Sequence, residues 1–147
     1  MKKGRLRRNT FSIFIGIVIS LLIIGFDVTP NKINNYTDII SAILSISSIT
    51  TGLLFATFTL IPGLPNSNLL KTLKELKTDK KLLDRLLLAI CGFLLGSLFA
   101  LVALFFNPKD TSLLSKVVLS CVGGLISFSF SEQFKVLRIL MKTLEKM

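Results

Sequence analysis

Long apolar runs alternate with blocks of basic residues along this chain, and this alternation limits its fold more than any other feature. Fifteen of the 18 lysines and arginines fall into three blocks, at residues 2–8, 71–85 and 135–146. Lysine and arginine near the ends of membrane helices are retained on the cytoplasmic side. The pattern therefore predicts a polytopic membrane protein whose two termini both lie inside the cell.

Composition supports the same class. Hydrophobic residues make up 51% of the 147 residues and charged residues only 18%, which is apolar for a soluble domain of this length. The formal net charge of +10 would suggest nucleic acid as the partner of a soluble protein. Here the cations flank apolar runs, so we expect anionic lipid headgroups as the partner and no nucleic acid.

Four apolar runs have the length of membrane helices. The predicted spans cover about residues 9–26, 38–61, 86–106 and 113–130. Residues 62–85 and 131–147 are predicted to form amphipathic cytoplasmic helices. The expected fold is all-α, a four-helix transmembrane bundle that forms one domain over residues 1–147, placed in the inner membrane of a bacterium.

The positions of the acidic residues support this membrane topology. The three inner segments hold 15 basic and 5 acidic residues, which gives 15 − 5 = +10, whereas the outer positions hold 3 of each and are neutral. The whole formal charge of the chain is thus expected on the cytoplasmic face.

Small residues recur at helical spacing in three of the predicted spans. Such faces favour contact between membrane helices, because small side chains let two backbones approach closely. The candidate packing residues are Ser41, Ser45, Ser48, Gly52, Gly92, Gly96, Ala100, Ser120, Gly123, Gly124 and Ser127. The pattern does not distinguish contacts within one protomer from contacts in a homo-oligomer. A polar pathway lined by the hydroxyls of the second span is the alternative.

Both predicted cytoplasmic helices combine an apolar face with lysine and arginine. The first has a leucine face, formed by Leu69, Leu73, Leu76, Leu83 and Leu87. The second has a heptad-like seam, formed by Phe130, Phe134, Leu137, Met141 and Leu144. Basic amphipathic helices can lie on the inner leaflet or dock a protein, and both remain open. The candidate contact residues are Lys71, Lys74, Lys77, Lys80, Lys81, Arg85, Phe134, Leu137, Arg138 and Met141.

The sequence contains few residues that could act in catalysis or bind a metal. Histidine is absent, so the commonest general base and metal ligand are both missing. Ser115 and Lys116 are adjacent, which places them about 100° apart on a helix and not face to face. No predicted span carries an internal carboxylate, because Asp27 and Asp38 lie at the outer ends of the first two spans, and this disfavours ion-coupled transport. We therefore expect no enzyme, no catalytic residue, no cofactor and no metal.

One stretch resembles a known layout. The run from Phe55 to Pro62, the basic stretch from Lys71 to Arg85 and the apolar third span are similar in arrangement to small multi-pass proteins of bacterial prophage and antiphage-defence islands, such as the membrane subunit of the Kiwa system. The likeness covers about residues 39–106. It implies a membrane sensor or effector that works with a soluble partner, and it assigns no functional residue.

The leading functional hypothesis is a non-enzymatic membrane module that self-associates and couples to a cytoplasmic partner, in phage defence. Two alternatives stay open. One is a small holin-like or channel-like pore lined by the second span, and the other is an immunity protein that shields the membrane from a bacteriocin.

Overall fold

The apolar runs fold as helices, because only a helix satisfies the backbone hydrogen bonds of a single membrane segment internally. The protein was analysed as a computed structural model that describes residues 10–60 and 79–145. Within these ranges the chain is all-helical and has no strand. The α-helices are α1 (Thr10–Gly25), α2 (Tyr36–Leu60), α3 (Asp79–Leu104) and α4 (Leu113–Leu144), with a short 3-10 turn at Pro30–Lys32. The predicted all-α class is confirmed over the described ranges.

Three of the described helices, α2, α3 and α4, are long and apolar enough to cross a membrane. The apolar helix α1 has 16 residues, which extend about 24 Å at 1.5 Å per residue. This is less than the roughly 30 Å of a hydrocarbon core. The 32-residue helix α4 is unbroken, so the predicted fourth span and its continuation form one element.

The helices pack as an open series in the order α1, α4, α3, α2. Neighbours in the series run antiparallel, since the start of one helix meets the end of the next. The series does not close into a ring, because α1 and α2 lie at its two ends. The central helices α3 and α4 therefore carry most of the buried surface.

Two apolar clusters fill the space between the helices. One surrounds Tyr36, whose hydroxyl donates a hydrogen bond of 2.6 Å to the carbonyl oxygen of Ala103. The other surrounds Leu86 and Phe93, near the opposite end of the helices. We call these ends the Asp27 end and the Glu132 end, after a charged residue at each.

The predicted leucine face is described only at Leu83, which is half-buried, and at Leu87, which is exposed. Its other members lie outside the described residues. The fully buried leucines at the start of α3 are Leu82 and Leu86, which belong to an apolar cluster shared with α2 and α4. The sides of α3 that contact α2 and α4 therefore hold its buried residues.

Glycine and serine set the spacing between α1 and α4. A Cβ atom on Gly16 would lie 3.0 Å from the carbonyl oxygen of Gly124, so the two backbones are almost in contact. One turn away, Ser20 Oγ donates to the carbonyl oxygen of Ser120 at 3.1 Å, and Ser120 Oγ donates to that of Ser20 at 3.0 Å. These reciprocal bonds hold α1 against α4.

Small residues also allow α3 and α4 to approach each other closely. A Cβ atom on Gly92 would overlap Ser129 Oγ, and one on Gly96 would lie 3.1 Å from Ile126 Cγ1. Ala100 is fully buried further along the same side of α3. The row Gly92, Gly96 and Ala100 therefore makes helix contacts within one chain.

Replacement of Gly124 by alanine tests this packing. The new Cβ would overlap Ser20 Oγ and lie 3.1 Å from the carbonyl oxygen of Gly16, so the free energy of unfolding should fall by about 1–3 kcal/mol. Gly25→Ala is the control, because nothing lies within 4 Å of a Cβ there, and it should change the free energy of unfolding by less than about 1 kcal/mol. Thermal unfolding in detergent measures both, and equal midpoints would contradict the close crossing.

Candidate functional site

The most unusual side chain in the structure is the buried carboxylate of Glu132 on α4. Its side chain has 0% exposure, while its two ion-pair partners, Arg85 and Lys135, are 21% and 23% exposed. Arg85 Nη1 on α3 donates to Glu132 Oε2 at 3.1 Å, and Lys135 Nζ donates to Glu132 Oε1 at 2.9 Å. Each carboxylate oxygen therefore accepts a charge-assisted hydrogen bond.

The network reaches α1 through serine. Lys135 Nζ also donates to Ser12 Oγ, and Ser12 Oγ lies 2.9 Å from Ser131 Oγ. An ammonium group can only donate, so Ser12 accepts from Lys135 and its own hydroxyl hydrogen is available to Ser131. The lysine ammonium also lies 5.6 Å from the ring centroid of Phe11. Three helices thus meet at one polar cluster.

The groups in this cluster are suited to ion pairing and to holding the three helices in position. Two cations and one carboxylate leave a net charge of +1 on side chains that are mostly withdrawn from solvent. Buried ionisable groups in membrane helices are costly and usually mark a functional site or a required registration of helices. Among residues 10–60 and 79–145, no group of three or more histidine, cysteine, aspartate and glutamate side chains could hold a metal ion.

The sequence predicted Glu132 off the apolar seam of a cytoplasmic segment, and the structure shows that its side chain is buried. Glu132 lies on the α3-facing side of α4, in line with buried Val136. Two sequence signals could have revealed the cluster. Ser12, Gly16 and Ser20 recur at intervals of four on α1, which is the spacing of a packing face, and the interval of three from Glu132 to Lys135 is that of a helical ion pair.

A second charged cluster lies at the Asp27 end. Asp27 pairs with Lys116 of α4 and with Lys32, whose Nζ is 3.2 Å from Asp27 Oδ2. The hydrogen bond from Lys116, followed by that from Lys32, holds the pKa of the Asp27 carboxyl below its usual value. Asp27 has a φ of 53°, and it closes α1 with backbone hydrogen bonds from Asp27 N to Ile24 O and from Val28 N to Ile23 O. This is a Schellman end.

The small-residue stripe of α2, formed by Ser41, Ser45, Ser48 and Gly52, faces away from the other described helices. All four residues are exposed, and the buried serine of this helix is Ser47. Ser45 Oγ donates back to the carbonyl oxygen of Ser41 at 2.9 Å. These four predicted packing residues therefore lie on a face that no other helix of the described residues covers.

The remaining packing candidates lie on α4. Gly123 is covered by Ile23 of α1, next to the crossing at Gly124. Ser127 Oγ donates to the carbonyl oxygen of Gly123 at 2.7 Å and is half-buried. Among the candidates on α4, contacts within the protomer therefore dominate.

The candidate cytoplasmic contact residues fall into three sets. Lys71, Lys74 and Lys77 lie outside the described residues. Lys80 and Lys81 are exposed, while Arg85 is held by Glu132. The seam residues and their neighbouring arginine are also exposed: Phe134, Leu137, Arg138 and Met141.

Comparison with known proteins adds no relative. The chain matches no protein-family model, no curated protein and no solved structure.

Replacement of Glu132 by glutamine tests the ion network. The variant keeps the shape of the side chain but leaves Arg85 and Lys135 without a counter-charge, so the free energy of unfolding should fall by about 3–5 kcal/mol. Glu145→Gln removes the same charge from the exposed residue that follows α4 and should change the free energy of unfolding by less than about 0.5 kcal/mol. Unfolding in lipid nanodiscs measures both, and two similar effects would mean that the network contributes nothing specific.

Proposed function

We propose that this chain is a non-enzymatic integral membrane module that self-associates through the outer face of α2 and couples to a soluble cytoplasmic partner. In this proposal α1 is the fourth membrane-spanning helix, so the topology is four-pass and both termini lie inside. The single observation that carries self-association is the uncovered small-residue stripe of α2. The partner is an acidic protein, attracted to the basic segment at residues 71–85, which includes the exposed Lys80 and Lys81.

The stripe has the character of the surfaces that the protein already uses for helix contact. Inside the protomer, glycine and serine bring α4 close to both α1 and α3. On α2, a Cβ at Gly52 meets no atom within 4 Å, and exposed serines continue its row. Since apolar surface alone does not drive association in lipid, a row that permits close approach is the favoured interface between two copies.

Cysteine crosslinking tests self-association directly. In a background that carries Cys91→Ala and Cys121→Ala, we expect oxidation of native membranes to give disulfide-linked dimers of Ser48→Cys. Ile46→Cys is the matched control, because Ile46 is also exposed but lies about 160° around the helix at 100° per residue. Dimers should be seen on gels for Ser48→Cys only. Equal or absent crosslinking at the two positions would contradict an interface on the stripe.

A pore lined by α2 is the second candidate, and the exposed hydroxyls of Ser41, Ser45 and Ser48 favour it. Hydroxyls that bond back to their own helix still keep lone pairs that can accept from water. The same Ser48→Cys protein separates the two functions. A charged, water-soluble thiol reagent reaches the cysteine in a pore, whereas a dry helix contact protects it.

The proposed topology can be tested on described positions. Single cysteines at Asn31 and Lys109, both exposed in turns, should react with a membrane-impermeant maleimide on intact cells. A cysteine at exposed Glu145 should react only after the membrane is permeabilised, because the basic segments are retained inside. The readout is the mass shift of the labelled protein, and labelling of the Glu145 position on intact cells would overturn the orientation.

A further inference from the structure

A groove opens between α1 and α4 at the Glu132 end, and nothing in the proposed self-association uses it. Its volume is about 970 Å³, at the upper end of the roughly 300–1,000 Å³ of small-molecule pockets. Phe11, Ile15 and Ile19 of α1 form one wall, and Phe130 and Phe134 of α4 form the other. The groove is therefore long and apolar.

Cations line one end of the same groove. Lys135, Arg138 and Lys142 face it together with a single acid, Glu145, which leaves 3 − 1 = +2 on its lining. Lys135 is engaged by Glu132. Arg138 and Lys142 are exposed and form no ion pair with another residue of the described ranges. These two cations are available to an anionic ligand.

The spacing of the cations along α4, compared with the thickness of a bilayer, indicates the kind of ligand. Lys116, at the Asp27 end, and Lys135 are 19 residues apart, which is about 28 Å along the helix. This distance matches the roughly 30 Å hydrocarbon thickness of a bilayer. When Lys116 lies at one membrane boundary, Lys135 lies at the other, and Arg138 and Lys142 reach the depth of the phosphate groups.

We propose that this groove binds one anionic phospholipid. An acyl chain lies along Ile19, Ile15 and Phe11, and the phosphate lies between Arg138 and Lys142. The apolar walls of the groove lie toward the middle of the membrane, and its cations lie toward the membrane surface. A lipid in that leaflet has its acyl chains and its headgroup at the same two depths. The site is in the inner leaflet under the orientation proposed above, where anionic lipids are concentrated.

Lipid binding to the full-length protein in detergent tests the proposal. Native mass spectrometry should show tighter binding of phosphatidylglycerol than of phosphatidylcholine. The double variant Arg138→Gln/Lys142→Gln should weaken phosphatidylglycerol binding about 30-fold, if each cation near the surface contributes about 1 kcal/mol. Lys32→Gln/Lys109→Gln is the control, because it removes the same charge from exposed positions at the Asp27 end, away from the groove.

A second pair of variants tests the acyl-chain part without changing charge. Ile15→Trp fills the groove and should also weaken phosphatidylglycerol binding, by about 10-fold or more. Ile17→Trp adds the same bulk at an exposed position about 160° around α1 and should leave binding unchanged.

Three results would overturn the site: equal affinity for the two lipids, equal weakening by the two charge variants, or unchanged binding in Ile15→Trp. These measurements use dispersed protein, so they do not depend on whether the α2 crosslinks form.

Discussion

The distance between helix backbones is the constraint on which this structure depends. Lipid tails are as apolar as leucine, so burial of apolar surface gives membrane helices little reason to associate. What remains is dispersion between closely packed atoms and hydrogen bonds between helices. At the crossing of α1 and α4, Gly16 and Gly124 bring the backbones together, and Ser20 and Ser120 exchange hydrogen bonds. Any larger side chain there would weaken both contributions.

Ion pairs at the two ends of the helices then fix the position of each helix along its neighbours. At one end, Glu132 joins Arg85 of α3 to Lys135 of α4, and Lys135 continues to Ser12 of α1. At the other end, Asp27 joins the end of α1 to Lys116 at the start of α4. The buried network has the larger consequence, because a charge that loses its partner there cannot be solvated by water. The exposed cluster mainly fixes the turn that ends α1.

Among the described residues, two surfaces have no helix packed on them, and their chemistry differs. The outer face of α2 carries small and hydroxylated side chains around Gly52, which suits a second helix at close range. The groove between α1 and α4 is apolar with cations at one end, which suits a lipid with an anionic headgroup. The proposed self-association and the proposed lipid binding therefore use different helices.

The sequence by itself determined the class of the fold and the position of its charge. Apolar runs bounded by lysine and arginine specify helices and an expected orientation, because these depend on composition along the chain. It also identified small residues that permit close approach, including Gly92, Gly96 and Gly124. Only the tertiary structure decided which neighbour each face meets. Ser41 and Ser45 have the same local pattern as the packed rows, yet no helix within residues 10–60 and 79–145 covers them. Glu132 reads as a surface charge until α3 brings Arg85 beside it, because burial depends on elements distant in sequence.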